Sequence, residues 1–235
     1  MCGRYFQARG SGDIARYFGT TNAVPNLLPS FNKAPTQDGL VVRRHPGTGA
    51  WHLDVLRWGL VPRWAKDASG GARMMNARGE TVADKPAFRD AFAKRRCLVP
   101  MDGFYEWRTE GRAKQPFACA LRSGEPMACA GLWEGWKQPD GEWLRTYSIV
   151  TCAAAGRQAL LHDRMPVILP REAWEEWLAG DDPAALLKPA RDSLLAFWPV
   201  AARVGRVAED DPGLIARDPL AVAPVGLDDA PPPLA

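Results

Sequence analysis

Between Cys97 and Ala154 the chain is a succession of short apolar runs cut by turn residues, and this pattern constrains the fold more than any other stretch. The runs 97–100, 103–108, 117–121, 128–136 and 144–152 have strand length, and Thr109–Gly111 and Pro139–Gly141 supply the turn signals between them. Strands joined by short turns pair antiparallel, so this half predicts a curved, mostly antiparallel sheet. Upstream, 2–8 reads as a short strand and 11–19 as a helix, with Ser11 to cap it, Ile14, Tyr17 and Phe18 on one face, and Gly19 to stop it. Residues 20–38, with Pro25, Pro29 and Pro35, read as loop; 39–44 and 51–62 read as strands, and 63–77 as a surface loop. Phe88, Ala91 and Phe92 place a helix at 85–95, and Trp174, Trp177 and Leu178 place another at 171–179. Short helical pieces are expected at 183–187 and 192–198.

The resulting class is α+β: a single domain on a curved, mostly antiparallel, barrel-like sheet with peripheral helices. It is expected to span residues 1–217, and the Pro/Ala/Asp-rich stretch 218–235 is expected to be disordered. A length of 235 residues with 46% hydrophobic and 24% charged residues suits such a domain, and no linker or repeat divides it. A net charge of +3 permits nucleic-acid binding without demanding it. The five cysteines (Cys2, Cys97, Cys119, Cys129 and Cys152) are odd in number and widely spaced, which argues against a disulfide framework or structural zinc. No metal or cofactor is implied. Without a signal-like N-terminus or an 18-residue apolar run, the expectation is a cytoplasmic protein with no membrane partner.

Cys2 carries the most specific chemistry. Methionine aminopeptidases remove Met1 when the next side chain is small, and Cys2 followed by Gly3 qualifies. The product would hold an α-amine and a thiol on adjacent carbons. An α-amine titrates at ~7.7–8.0 against ~10.4 for lysine, so near neutrality about a third of it is already nucleophilic. Such an amine attacks an aldehyde as a Schiff-base nucleophile, and the neighbouring thiol can close a thiazolidine ring on the imine carbon. Effective molarities of ~10⁵–10⁸ M for such intramolecular steps let ring closure outrun hydrolysis. An internal cysteine has no such route. The bland reading of Cys2 is a small buried residue opening a strand.

Six stretches surround this feature with a pattern: Met1-Cys2-Gly3-Arg4-Tyr5; Phe31-Asn32-Lys33-Ala34-Pro35-Thr36; Trp58-Gly59-Leu60-Val61-Pro62; Asn76-Ala77-Arg78-Gly79-Glu80; Arg96-Cys97-Leu98-Val99-Pro100 running on to Gly103-Phe104-Tyr105-Glu106-Trp107; and His162-Asp163-Arg164-Met165-Pro166. Together, in this order, they closely resemble the SRAP family (SOS response-associated peptidase domain), the abasic-site-processing proteins, over residues 1–214. The resemblance implies a protein that bonds covalently through Cys2 to abasic sites in single-stranded DNA, with lyase and crosslink-reversal activity to consider. It maps the active-site residues to Cys2, Asn76, Glu106 and His162. Glu106 is assigned to proton transfer and opening of the sugar ring, His162 to Schiff-base proton transfers and reversal, and Asn76 to orienting the amine or the sugar hydroxyl.

Arg4, Arg78 and Arg164 are the expected phosphate contacts, with a structural ion pair as the alternative for Arg164. Trp64 and Trp58 are expected as apolar wedges for bases, and Asn32, Thr36 and Thr151 as lining. Taken singly, Glu106 reads as a solvent-facing edge residue, His162 as a core or capping histidine and Asn76 as a turn residue. The chain departs from the family at Ala154-Ala155, where an Ala-Asn pair is usual. Two other functions compete: a Cys2/His162 protease acting on its own N-terminus, and a non-catalytic single-strand DNA-binding module.

Overall fold

The computed structural model describes residues 2–111 and 113–234, with the backbone alone described at Glu110. In chain order the strands are β1 (Tyr5–Gln7), β2 (Ser30–Lys33), β3 (Asp38–Arg44), β4 (Trp51–Trp58), β5 (Asn76–Arg78), β6 (Arg96–Met101), β7 (Gly103–Glu110), β8 (Ala113–Leu121), β9 (Met127–Lys137), β10 (Trp143–Ala153), β11 (Arg164–Pro166) and β12 (Leu195–Pro199). The helices are α1 (Ser11–Phe18), α2 (Arg89–Lys94) and α3 (Trp174–Ala179).

The strand-rich middle closes on itself. β4, β3, β6, β9 and β10 pair antiparallel in that order, and β10 returns to β4 through a parallel pairing at Thr146↔Arg57 and Tyr147↔Trp58. Closure leaves no free edge among these five strands, the usual way a small sheet avoids exposing unpaired backbone. Past the point where β10 leaves β4, β5 joins it parallel and β11 antiparallel. A second, antiparallel sheet runs β12-β8-β7-β1-β2.

The two sheets meet over an apolar core that includes Tyr5, Phe6, Phe104, Phe117 and Phe197, all fully buried. Burial of each such ring stabilises the fold by roughly 1.5–3 kcal/mol. Tyr5 bridges the layers: its ring stands edge-on to Trp58 at 5.0 Å, and its hydroxyl lies 2.5 Å from that of Tyr147. Gly39 makes the approach possible, since a Cβ there would lie 2.3 Å from the Tyr147 Oη.

Four elements differ from the sequence-based expectation. Ser30–Lys33 is a strand inside the expected loop 20–38, and Asn76–Arg78 is one inside the loop 63–77. Both are short, with one apolar residue each, too few to show a period, and are made strands by the edges of β1 and β10. Residues 192–198 form a 3₁₀ turn followed by strand, not a helix. All five residues of β12 are buried, so its unbroken apolar run carries no period to read. The tail also packs where disorder is expected. Leu227 is fully buried, and the Asp229 carboxylate accepts hydrogen bonds from the Phe197 backbone N–H, Arg122 and Arg157. Those partners lie 32 to 107 residues away, out of reach of local composition. Among the described residues no helix is long and apolar enough to cross a membrane.

Candidate active site

The segment entering β1 carries Cys2 to the junction of the two sheets, where it is fully buried. Asn76 opens β5 there, and its Nδ2 donates to the Cys2 carbonyl at 2.8 Å. That single bond joins two residues 74 positions apart and sets the backbone direction at Cys2. The Asn76 Oδ1 is buried and accepts nothing among the described residues, so it presents an acceptor beside Cys2.

Glu106 comes from the middle of β7 and is only 3% exposed. The edge-strand, solvent-facing reading therefore does not apply. Burial pushes its carboxyl up to about 7, and Glu106 in turn raises the Cys2 thiol, which burial has already lifted well above its ordinary range. The carboxyl is therefore divided between its protonated and ionised forms near neutrality.

His162 follows a 3₁₀ turn, with its N–H donating to the Gln158 carbonyl at 3.0 Å. Its Nδ1 lies 2.9 Å from the Arg164 backbone N–H and 2.6 Å from the Asp163 carboxylate. One lone pair cannot serve both arrangements. The amide is an obligate donor, whereas the Asp163 side chain is 85% exposed and well solvated. Desolvation moreover holds the His162 pKa below its ordinary value. The ring is thus neutral, with Nδ1 accepting and the proton on Nε2, available to the site. The charge of Asp163, next to His162, adds to the upward push on the Glu106 carboxyl.

Around this group the arginines divide. Arg164 donates from both terminal nitrogens to Glu80, at 2.5 and 2.8 Å, and from Nη2 to the Thr151 carbonyl at 2.7 Å. Arg164 thus forms an ion pair, but with a carboxylate that is half exposed and not buried. Thr151 is buried, its hydroxyl within 3.4 Å of the Ala77 carbonyl. Arg4 donates to the Asn32 Oδ1 at 2.8 Å and to the carbonyls of Val204 and Gly205. Asn32, 1% exposed, donates from its amide to the carbonyls of Val204, Arg206 and Glu209. These two residues stitch the second sheet to the segment 204–209. Arg78 is exposed on β5.

The aromatic expectations also separate. Trp64 is 65% exposed on a loop held by a hydrogen bond from the Trp136 indole to the Ala65 carbonyl. Trp58 is fully buried, with its indole N–H on the Met75 carbonyl, so it offers no face to a base. It packs the core because the end of β4, where it lies, is paired to β10 and covered by Tyr5. Thr36 is exposed, in a left-handed backbone conformation with φ of 76°, and its N–H donates to the Trp58 carbonyl. Such strain in a residue with a Cβ is held only where the surroundings impose it.

Sequence reasoning missed Glu80 as the partner of Arg164. It lies in a quoted motif, but nothing local signals a contact across 84 residues. The remaining cysteines are free and buried, as packing residues are. Among the described residues no cluster of three potential metal ligands occurs. Met1, whose removal the chemistry requires, lies outside the described residues.

Comparison with known proteins gives the same picture. Residues 1–207 match the family described as SOS response associated peptidase (SRAP). The abasic site processing protein YoqW of Bacillus subtilis is 38% identical over 223 residues, covering 92% of this chain and 99% of the relative. The abasic site processing protein YMR114C of Saccharomyces cerevisiae is 31% identical, covering 92% of this chain and 67% of its own. A crystal structure of a Bacteroides thetaiotaomicron protein superposes with a TM-score of 0.85 at 25% identity, over 92% of this chain and all of the other.

Proposed function

The chain belongs to the SRAP family, and from that premise we propose that it bonds covalently through Cys2 to the aldehyde of abasic sites in single-stranded DNA. One observation carries the reading: Cys2 is held by its carbonyl on Asn76 next to a buried carboxyl with a pKa of about 7. Such a carboxyl exchanges protons in both directions near neutrality, as Schiff-base formation requires.

With Met1 removed, the α-amine of Cys2 attacks the aldehyde carbon, and a proton moves from nitrogen to oxygen to give a carbinolamine. Protonated Glu106 donates to the departing hydroxyl, which leaves as water; the iminium nitrogen returns its proton to the Glu106 carboxylate and yields the imine. The sulfur then bonds to the imine carbon while the thiol proton passes to nitrogen, closing the thiazolidine without oxidant or reductant. The free Oδ1 of Asn76 suits an N–H of the amine and would aim its lone pair. Before attack, ionised Glu106 takes the proton of the sugar C1′ hydroxyl to open the ring. The Nε2–H of His162 serves as donor to substrate oxygen and assists reversal. In a lyase branch, a base removes a C2′ proton from the imine and the 3′ phosphate departs. Exposed Trp64 and Arg78 are the contacts proposed for a base and a phosphate. Arg4 and Arg164 act by holding the site's walls.

Burial bears on the protease alternative. A cysteine protease needs a thiolate stabilised by imidazolium, whereas here burial disfavours the thiolate and the imidazolium alike. The test is incubation with a single-stranded oligonucleotide carrying one abasic site, followed by a denaturing gel. A shifted band is expected for the processed protein and none for Cys2→Ala or an N-terminally acetylated form. Absence of the band with Met1 verifiably removed would overturn the reading.

A further inference from the structure

On a face that shares no residue with the site around Cys2, a cleft of about 890 Å³ opens between the turn after β8, the segment leading into α3, and residues 186–194. Its floor is apolar, including Ile168, Leu169, Trp174 and Leu194, and Leu194 remains 42% exposed. Its lining carries four cations, Arg122, Arg171, Lys188 and Arg191, against two carboxylates, Glu125 and Glu172. Lys188 and Arg191 project into solvent, while Arg171 lies over the rings of Tyr17 and Trp174. An apolar floor with a net positive rim complements a ligand that carries both apolar side chains and negative charge.

The molecule already holds such a segment beside the cleft. The tail places Leu227 in the core and Asp229 on the β12 edge, where Asp229 and Phe197 exchange hydrogen bonds. Arg122, which lines the cleft, donates to Asp229 at 2.8 Å, and Arg217 binds the preceding Asp228. The β12 edge therefore captures an acidic segment with an apolar anchor, and the neighbouring cleft offers the same pairing of surfaces unfilled by its own chain. We propose that this cleft docks an acidic peptide segment with apolar anchors from a partner protein. It is a recruitment surface, separate from the DNA-reactive site, with rim cations steering the peptide and the floor around Leu194 taking its apolar side chains.

The test uses fluorescence anisotropy with the full chain and a fluorescein-labelled synthetic peptide in which aspartate alternates with leucine and proline. Saturable binding that weakens with salt is expected, and a version with lysine in place of aspartate should not bind. The double variant Lys188→Glu with Arg191→Glu, and separately Leu194→Asp, should weaken binding at least tenfold while crosslinking through Cys2 stays unchanged. All three substituted residues are exposed, so the fold tolerates them, and thermal unfolding checks it. Equal binding of the acidic and basic peptides, or equal binding by parent and variants, overturns the proposal. So does labelled oligothymidylate binding that these same variants abolish, which would make the cleft a nucleic-acid surface. Because crosslinking is read separately, failure here leaves the Cys2 chemistry standing, and failure there leaves this docking standing.

Discussion

Glu106 and Glu80 are the same side chain in two surroundings, one at the floor of the site and one at its rim. Glu106 lies 3% exposed between the sheets, and loss of water pushes its carboxyl up to about 7. Glu80 is half exposed and bonded twice by Arg164, which holds its carboxyl below the ordinary range. The first can gain and lose a proton during a reaction. The second stays ionised and works as a strut that fixes Arg164 over Thr151. Burial that outweighs the partners makes an acid–base group, while exposure with a bidentate cation makes a structural one.

The largest effect that would break this contrast is on rate. Glu106→Gln should slow single-turnover crosslinking by about 10²–10⁴-fold, the usual range for loss of a general acid–base. The parent's rate should titrate with a pKa near 7, and that inflection should vanish in the variant. An unchanged pH profile would remove Glu106 from the proton path. Stability should move the other way. Because its folded pKa is raised, Glu106 binds more protons folded than unfolded between the ordinary value of 4.5 and about 7, so stability falls as pH rises through that window. At pH 8 the Gln variant should be more stable than the parent by up to about 3 kcal/mol, taking ~1.4 kcal/mol per pKa unit, and at pH 4 nearly equal. Urea unfolding at both pH values measures it.

Next in size is the pair of tryptophans, which repeats floor against rim. Trp58→Ala should destabilise the fold by about 3–5 kcal/mol, as loss of a large buried ring does. Trp64→Ala should leave unfolding nearly unchanged and weaken binding of undamaged single-stranded DNA by about 1–3 kcal/mol, one stacked base. A stable Trp58→Ala protein with weakened DNA binding would reverse their roles. The smallest expected change is at the rim itself. Glu80→Gln should cost about 0–1 kcal/mol of stability, because a half-exposed ion pair is screened by water. Its effect on crosslinking should be a few-fold at most, and less at high salt. A loss as large as that of Glu106→Gln would mean that Glu80 also carries protons.

Much of the barrel was legible because its strands advertise themselves locally. β6 to β10 are apolar runs bounded by turns; β7 with β8 and β9 with β10 pair as sequence neighbours, whereas β6 pairs with β3 and β9. β2 and β5 were not legible, since three or four residues with a single apolar side chain among them show no period and become strands only where an existing edge accepts them. The site follows the same division. Cys2, Asn76, Glu106 and His162 were singled out by motif, and the structure locates Asn76 on the Cys2 carbonyl and Glu106 under burial. Trp58 and Trp64 lie six residues apart in similar company, and nothing local tells which is buried.

The sequence by itself determined the covalent possibilities: a cysteine at position 2 whose amine can be freed, and the set of acid, amide and imidazole groups that could serve it. It also determined the strand-rich class, because strand-length apolar runs and turn chemistry are properties of neighbouring residues. Only the tertiary structure decided which groups are chemically active. The proton affinity of Glu106, the tautomer of His162, the neutralisation of Arg164 and the capture of Asp229 depend on dehydration and on partners far away in the chain. Electrostatic free energy is set by distance and solvent in three dimensions, and neither is written in the order of residues.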